Sequence, residues 1–277
     1  MTARPGLVVS LSGRSECERL GSDVSPHVSS SRIAADAGKA SRLLSSDAGS
    51  AVPAANLQDM SYPDRRTSLL IHAALTRSGC DAATIGRVHQ YLADAGAVPM
   101  LTRLRRHCGY IFAHSLKTTK LVVHVARDMS VDGSEHAVLF VGALLHDIGK
   151  LAVPTSLLNA TRRLRKTEID AIRSHSEIGY DSLSDTRIIG WNAVLDVIRH
   201  HHERLDGSGY PFGLTAPDIS WRTRCVTVCD VFSALIESRP YRPAMNRDEA
   251  SAMLSQMVAA GKIDGDIVNA LRRWRPE

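Results

Sequence analysis

At 277 residues the chain is long enough to bury a sizeable core in one or two domains. Aromatic residues make up only 5% of it while hydrophobic residues reach 44%, with Ala and Leu plentiful, which favours helix over sheet. The 34 Lys and Arg against 29 Asp and Glu leave a net charge of +5, compatible with an anionic ligand but too mild to imply DNA or RNA as a partner.

Residues 1–62 are rich in Ser, Ala, Gly and Asp and show no sustained periodicity. A stretch such as Ser29-Ser30-Ser31 cannot bury enough apolar surface to offset the entropy of ordering it, so a weakly ordered arm is expected. The Leu7-Val8-Val9 patch is too short for the core of a signal peptide. Residues 63–107 read as a helical lead-in. Leu69, Leu70, Ala73 and Ala74 open a first helix that stops near Ser78-Gly79. Asp81 caps a second, with Ile85, Val88, Tyr91 and Leu92 at helical spacing and an end at Gly96; a third runs from Val98 to His107.

Residues 108–277 continue as helices and are expected to form one further domain. Ile111 to Met129 carries the stripe Leu121, Val122, Val125, Ala126 and Met129. Ser134 to His146 is apolar nearly all round and should be central and buried. Its run from Ala137 to Leu145 is the longest apolar stretch and is too short for a bilayer, so no membrane insertion and a cytoplasmic location are expected. Thr167 is expected to cap a helix bearing Glu168, Ile169, Ile172 and His175. Trp191, Val194, Leu195 and Ile198 sit at i, i+3, i+4 and i+7 on a helix that delivers His201 and His202 at its C-terminal end. Asp206 to Pro211 is a loop on turn chemistry alone; a helix from Thr223 to Glu237 follows, then two more between Arg247 and Trp274. Cys17, Cys80, Cys108, Cys225 and Cys229 are odd in number and lack a CxxC spacing, which reads as reduced thiols, with Cys225 and Cys229 packing on one helical face. The fold class is all-α.

Two histidine-rich stretches stand out: His146-Asp147-Ile148-Gly149-Lys150, and His201-His202-Glu203-Arg204 leading to Gly209-Tyr210-Pro211. A lone buried histidine is most often a hydrogen-bonded part of the core, but adjacent His-Asp and His-His pairs resist burial unless something satisfies them. Together with His114, His175 and Asp230 they make seven nitrogen and oxygen donors, too many for one zinc and without the thiolates of a structural site. Such a set suits two octahedral-leaning divalent ions bridged by a carboxylate such as Asp147, an arrangement that acidifies water and clamps both oxygens of an in-line displacement at phosphorus. Lys150, Arg239 and Arg242 are either phosphate contacts or solvated surface cations.

The segment Ala143-Leu144-Leu145-His146-Asp147-Ile148-Gly149-Lys150 resembles the HD superfamily of metal-dependent phosphohydrolases, and His201 through Pro211 resembles its HD-GYP subgroup. The match extends through Tyr110, His114, Leu157-Leu158-Asn159, Glu168, His175, Asp230 and Arg239-Pro240-Tyr241-Arg242, over roughly residues 98–271. The resemblance implies an HD-domain helical bundle with an HD-GYP C-terminal extension, and a cyclic di-GMP phosphodiesterase that opens the cyclic dinucleotide to pGpG and in some relatives to GMP. It implies His114, His146, Asp147, His175, His201, His202 and Asp230 as ligands of two iron or manganese ions. His146, Asp147 and Lys150 would be catalytic, and Lys150, Gly209, Tyr210, Arg239 and Arg242 would contact substrate. In this family the Gly209-Tyr210-Pro211 loop either lines the substrate site or contacts a diguanylate cyclase (GGDEF) partner.

The chain departs from the family pattern at several places. Tyr110 stands where relatives with a third metal have Glu, which implies two metals in this chain. Ala160-Thr161 replaces the usual Lys-Pro, and the following Arg162, Arg163 and Arg165 either compensate or are solvated. Ser233 and Ile236 stand where Asp and Thr are common. The competing readings are a hydrolase for another cyclic dinucleotide or nucleotide, and a non-catalytic module that binds the nucleotide or a cyclase.

Overall fold

The structure is a computed structural model that describes residues 65–238 and 243–275. Among these residues the regular elements are all helical, with one isolated β-bridge, between Asp206 and Thr215. The α-helices are α1 (Arg65–Arg77), α2 (Ala82–Asp94), α3 (Ala97–His107), α4 (Gly109–Asp128), α5 (Gly133–Leu145), α6 (Thr155–Leu158), α7 (Lys166–Arg173), α8 (His175–Asp181), α9 (Trp191–His200), α10 (Trp221–Leu235), α11 (Arg247–Ala259) and α12 (Gly265–Arg272). Short 3₁₀ turns span Ile148–Ala152 and Ala216–Asp218. No helix among the described residues is long and apolar enough to cross a membrane.

The near-continuous apolar composition of α5 has the expected result. Every residue from Ala137 to Leu145 is buried, and α2, α4 and α9 pack around it. Gly142 lets α9 approach closely, since a Cβ there would lie 3.1 Å from the Val197 side chain. Helices α1 to α3 contribute Ile71, Leu75, Val88, Leu92, Leu101 and Leu104 to the same core, so the lead-in packs directly onto the bundle. Trp191, Val194, Leu195 and Ile198 are buried as their spacing predicts. Cys225 and Cys229 are free and fully buried, in keeping with the small-residue packing expected of them. The arm at residues 1–62, with Cys17, lies outside the described residues.

The structure supplies one helix face and corrects one cap. The buried face of α1 is Thr67, Ile71, Ala74 and Leu75, while Leu69 is 57% exposed. On this face Thr67 meets Thr102 of α3, whose hydroxyl donates to that of Thr67 at 3.0 Å. Thr167 does not cap α7, because the Glu168 carboxylate reaches back to accept the Arg165 backbone N–H at 2.8 Å. The helix therefore starts earlier, and it also ends earlier, at Arg173. The His175 ring donates from Nδ1 to the Ile172 carbonyl at 2.6 Å, taking an acceptor that a continuing helix would use, and α8 begins at His175 itself.

Candidate metal centre

Three of the predicted ligands are set by one device, repeated at three helix ends. The last carbonyls of a helix have no intrahelical donor, and a histidine just beyond can supply one. His146 Nδ1 lies 2.8 Å from the Ala143 carbonyl, His175 Nδ1 2.6 Å from Ile172, and His201 Nδ1 2.9 Å from Ile198. A carbonyl only accepts, so each Nδ1 carries the proton and each Nε2 is left as a lone pair facing inward. The consequence is an arrangement that hydrogen bonds cannot satisfy. His175 Nε2 lies 3.3 Å from His201 Nε2 and 3.2 Å from His202 Nε2, and the buried His146 Nε2 and Asp147 Oδ1 have no hydrogen-bond partner. Lone pairs that converge in a buried site are satisfied by a cation.

The donors fall into two groups whose atoms lie within 4.8 Å of one another: Asp147, His175, His201 and His202 in one, and His114, His146 and Asp230 in the other. Asp147 links them. Its Oδ1 faces His175 Nε2 at 3.3 Å and His201 Nε2 at 3.9 Å, while its Oδ2 is 3.5 Å from His146 Nε2. Asp230 Oδ1 is 2.8 Å from His114 Nε2 and 3.8 Å from His146 Nε2. All seven predicted ligands are thus brought together, and the donor set fits two divalent ions, with Asp147 the residue between them.

Electrostatics prepare the same states that metal binding requires. Burial favours the neutral form of His201 and His202, and neighbouring imidazoles reinforce it, so both are held well below the usual range for histidine. Burial opposes ionisation of Asp147, but Lys150 and His146 outweigh it and hold the carboxyl well below its ordinary value. Asp230 is lowered likewise, burial being overcome by His114 and His146. His114 differs: burial favours the neutral ring, yet hydrogen bonds to Asp230 and Glu237 prevail and raise it to about 9. The ring sits between two carboxylates, Nδ1 on Glu237 and Nε2 on Asp230, and a cation bound between Nε2 and Asp230 would take the place of the proton held there.

The remaining predicted residues are placed as follows. Lys150 Nζ is 2.8 Å from Asp147 Oδ2, so this cation is seated at the rim of the donor set rather than in solvent. The Tyr210 ring stacks on His202 with centroids 4.6 Å apart. The close approach at Gly209 is to the chain itself, since a Cβ there would lie 2.4 Å from the Glu203 Cα and the Arg204 nitrogen. Glu203 closes this loop by accepting the Phe212 and Leu214 N–H groups at 2.7 and 3.0 Å. Arg239 and Arg242 lie outside the described residues. Tyr110, at the position of the absent Glu, donates its hydroxyl to the Leu158 carbonyl at 2.9 Å. Arg162 and Arg165 are bound to Glu168 at 2.7 and 3.0 Å, which answers the question of their role locally: they hold the start of α7.

Sequence reasoning missed Glu237. Its Oε2 accepts from His114 Nδ1 at 2.9 Å, and Ser233 Oγ lies 3.1 Å from Glu237 Oε1 and 3.3 Å from the same imidazole nitrogen. Asp230 and Ser233 lie on one face of α10 and Glu237 follows two residues beyond its end, so the i, i+3, i+7 spacing in the sequence was the available signal. Where relatives often have Asp at position 233, this chain places the carboxylate one turn further along. Glu237→Ala is expected to weaken metal binding by about 10- to 100-fold, the usual effect of removing a carboxylate behind a ligating histidine. Adding Ser233→Asp should restore most of it. A manganese titration against a competing chelator checks this, and unchanged affinity in the single variant would remove Glu237 from the centre.

Comparison with known proteins agrees with this geometry. The model of the HD domain family matches residues 97–267. A cyclic di-GMP phosphodiesterase of Pseudomonas aeruginosa is 37% identical over 60% of this chain and 40% of its own length. A 3′3′-cGAMP-specific phosphodiesterase of Vibrio cholerae is 34% identical over 59% of this chain and 38% of its own length. The response regulator RpfG of Xanthomonas campestris pv. campestris, a cyclic di-GMP phosphodiesterase, is 38% identical over 55% of this chain and 40% of its own length. The chain thus spans about two fifths of these relatives. Among solved structures, an HDG"Y"P protein from Bdellovibrio bacteriovorus superposes with a TM-score of 0.52 at 17% identity, covering 88% of this chain and 80% of that one, a likeness of fold. The chain belongs to the HD domain family, and its His201-to-Pro211 segment marks it as HD-GYP.

Proposed function

We propose that the protein is a metal-dependent phosphodiesterase that hydrolyses cyclic di-GMP to linear pGpG. The observation that carries this reading is the pair of donor groups joined by the two oxygens of Asp147, with converging imidazole lone pairs that only cations satisfy. His114, His146 and Asp230 would hold one ion and His175, His201 and His202 the other, Asp147 shared, with iron or manganese suited to this imidazole and carboxylate set. When bound, two such ions would acidify a water and neutralise charge developing on the phosphate oxygens. The chain's own groups do the rest. Lys150, fixed on Asp147 at 2.8 Å, keeps N–H donors free for a non-bridging phosphate oxygen. Glu203 and Tyr210 fix the loop against His202, and the half-buried ring stacked there supports a substrate-side role for the loop over a diguanylate cyclase contact.

The similarity to 3′3′-cGAMP-specific relatives makes base identity the second question, so both nucleotides belong in the test. Metal-loaded protein is expected to convert cyclic di-GMP to pGpG, and His146→Ala to reduce turnover to background. Metal analysis of protein kept anaerobic should give two equivalents per chain. Equal background hydrolysis of both nucleotides by wild type and His146→Ala, with binding retained, would establish a receptor instead.

A further inference from the structure

One guanidinium ties the loop that carries Tyr210 to two of the helices that set the histidines, and the chemistry above makes no use of it. Arg199 lies in the last turn of α9, two residues before His201. Its edge forks onto Glu177 of α8, Nε donating to Oε1 at 2.5 Å and Nη2 to Oε2 at 3.0 Å. The same guanidinium sits over two rings. Its Cζ is 4.2 Å from the centroid of Tyr180, also on α8, and 4.7 Å from that of Phe212. Phe212 stands two residues past Tyr210, with its N–H on the Glu203 carboxylate at 2.7 Å and its ring edge to face with His200, centroids 5.7 Å apart.

Helices α8 and α9 have a close contact of their own without this arginine. They meet at Gly179, where a Cβ would lie 3.0 Å from Ile198, and Val194, Val197 and Ile198 are fully buried. The loop is different. Residues 206–215 contain no helix or strand, only the bridge between Asp206 and Thr215, so side-chain anchors decide where the loop lies. An exposed ion pair alone contributes little, but a guanidinium forked by a carboxylate has its plane fixed, and a fixed plane stacks on a ring. An ammonium cannot make both contacts in this way. Glu177 thus aims Arg199, and Arg199 holds Phe212. Because α8 begins at His175 and α9 ends beside His201 and His202, the loop is tied to the helices that set that donor group. Tyr210, two residues back, is then seated on the His202 ring, centroids 4.6 Å apart.

We propose that Arg199 is a positioning residue that acts through Phe212 to hold this loop and keep Tyr210 seated on His202. Its effect on turnover rests on the substrate-side reading of the loop given above, whereas its effect on the loop does not. The test compares metal-loaded wild type with Arg199→Met, Phe212→Leu, the double variant and Arg199→Lys, by hydrogen exchange of the backbone amides at 205–214 and by steady-state hydrolysis of cyclic di-GMP. Either single variant should speed exchange there by about tenfold, as expected when a cation stacked on a ring is removed. KM should rise by about tenfold with kcat held within about threefold, the signature of lost binding contacts rather than lost chemistry. The double variant should stay within about twofold of the single ones, because both remove one contact. Arg199→Lys should recover part of the loss. Arg222→Met, which breaks the pair between Arg222 and Glu135 away from the loop, should move neither readout. A lower Tm in Arg199→Met with exchange and KM as in wild type overturns the proposal and leaves a brace between α8 and α9. Additive losses, about a hundredfold in the double variant, overturn it as well, since the two side chains would then act separately. Should Arg199→Met not fold, Phe212→Leu and Arg199→Lys carry the test, and wild-type exchange in Phe212→Leu overturns it. If wild type cleaves no cyclic di-GMP, the substrate reading has failed and the exchange measurements alone judge Arg199.

Discussion

Asp147→Asn is expected to abolish turnover while leaving the helical fold in place. Asparagine has the same shape, so the 1%-exposed site loses no packing volume. What it loses is charge and symmetry. Asp147 presents one oxygen to each donor group, whereas an amide presents one neutral oxygen and an NH₂ that points hydrogens at the other group. Two divalent ions would then face five imidazoles and the single carboxylate of Asp230. That is too little negative charge for a buried pair of ions. Bound metal should drop from two equivalents to one or fewer. Turnover should fall by at least about a thousandfold, the upper end of what removing one electrostatic contributor costs, or about 4 kcal/mol of barrier. Elemental analysis, circular dichroism and kinetics on the same sample check the three statements together. Two retained equivalents with turnover within tenfold of wild type would mean that Asp147 does not join the ions.

The ligand set was legible in the sequence because of what burial demands. Imidazole and carboxylate side by side at the end of an apolar helix have few reasons to exist other than a cation. The long helices were legible for the same reason: α5, apolar nearly all round, is buried from Ala137 to Leu145, and α9 buries the face its spacing dictates. What stayed hidden depends on contacts across the fold. The bond between His114 and Glu237 joins residues 123 positions apart and exists only because α4 and α10 pack together. The buried face of α1, on which Thr67 meets Thr102 of α3, was left unassigned by the sequence. The start of α7 was a competition between two capping groups, which Glu168 wins with the help of Arg162 and Arg165.

Gly149→Ala is expected to damage stability and the metal centre together. Gly149 sits in the 3₁₀ turn after Asp147, where the turn meets α8 backbone to backbone. A Cβ on it would lie 1.9 Å from the His175 carbonyl oxygen and 2.6 Å from the Gly179 nitrogen, atoms that no rotamer change can move. Gly179 answers from the other side, where a Cβ would lie 3.2 Å from the Gly149 nitrogen and 3.0 Å from the Ile198 side chain. This contact between two glycines is what brings Asp147 Oδ1 within 3.3 Å of His175 Nε2. Separating the two backbones removes His175 from its group, because ligand distances tolerate only about 0.2 Å. Overpacking costs about 1–3 kcal/mol where neighbours can adjust, and the rigid backbone here puts the effect at the upper end, a fall in Tm of about 6–12 °C. Gly86→Ala is the matched control. Its Cβ would meet nothing within 4 Å in the exposed middle of α2, so alanine should stabilise by about 0.5–1 kcal/mol through helix propensity. The pair separates a general intolerance of added methyl groups from the specific one. Scanning calorimetry of both variants, with metal content measured in each, decides it. Were Gly149→Ala as stable as wild type with both equivalents retained, the glycine contact would not be what sets the distance between Asp147 and His175.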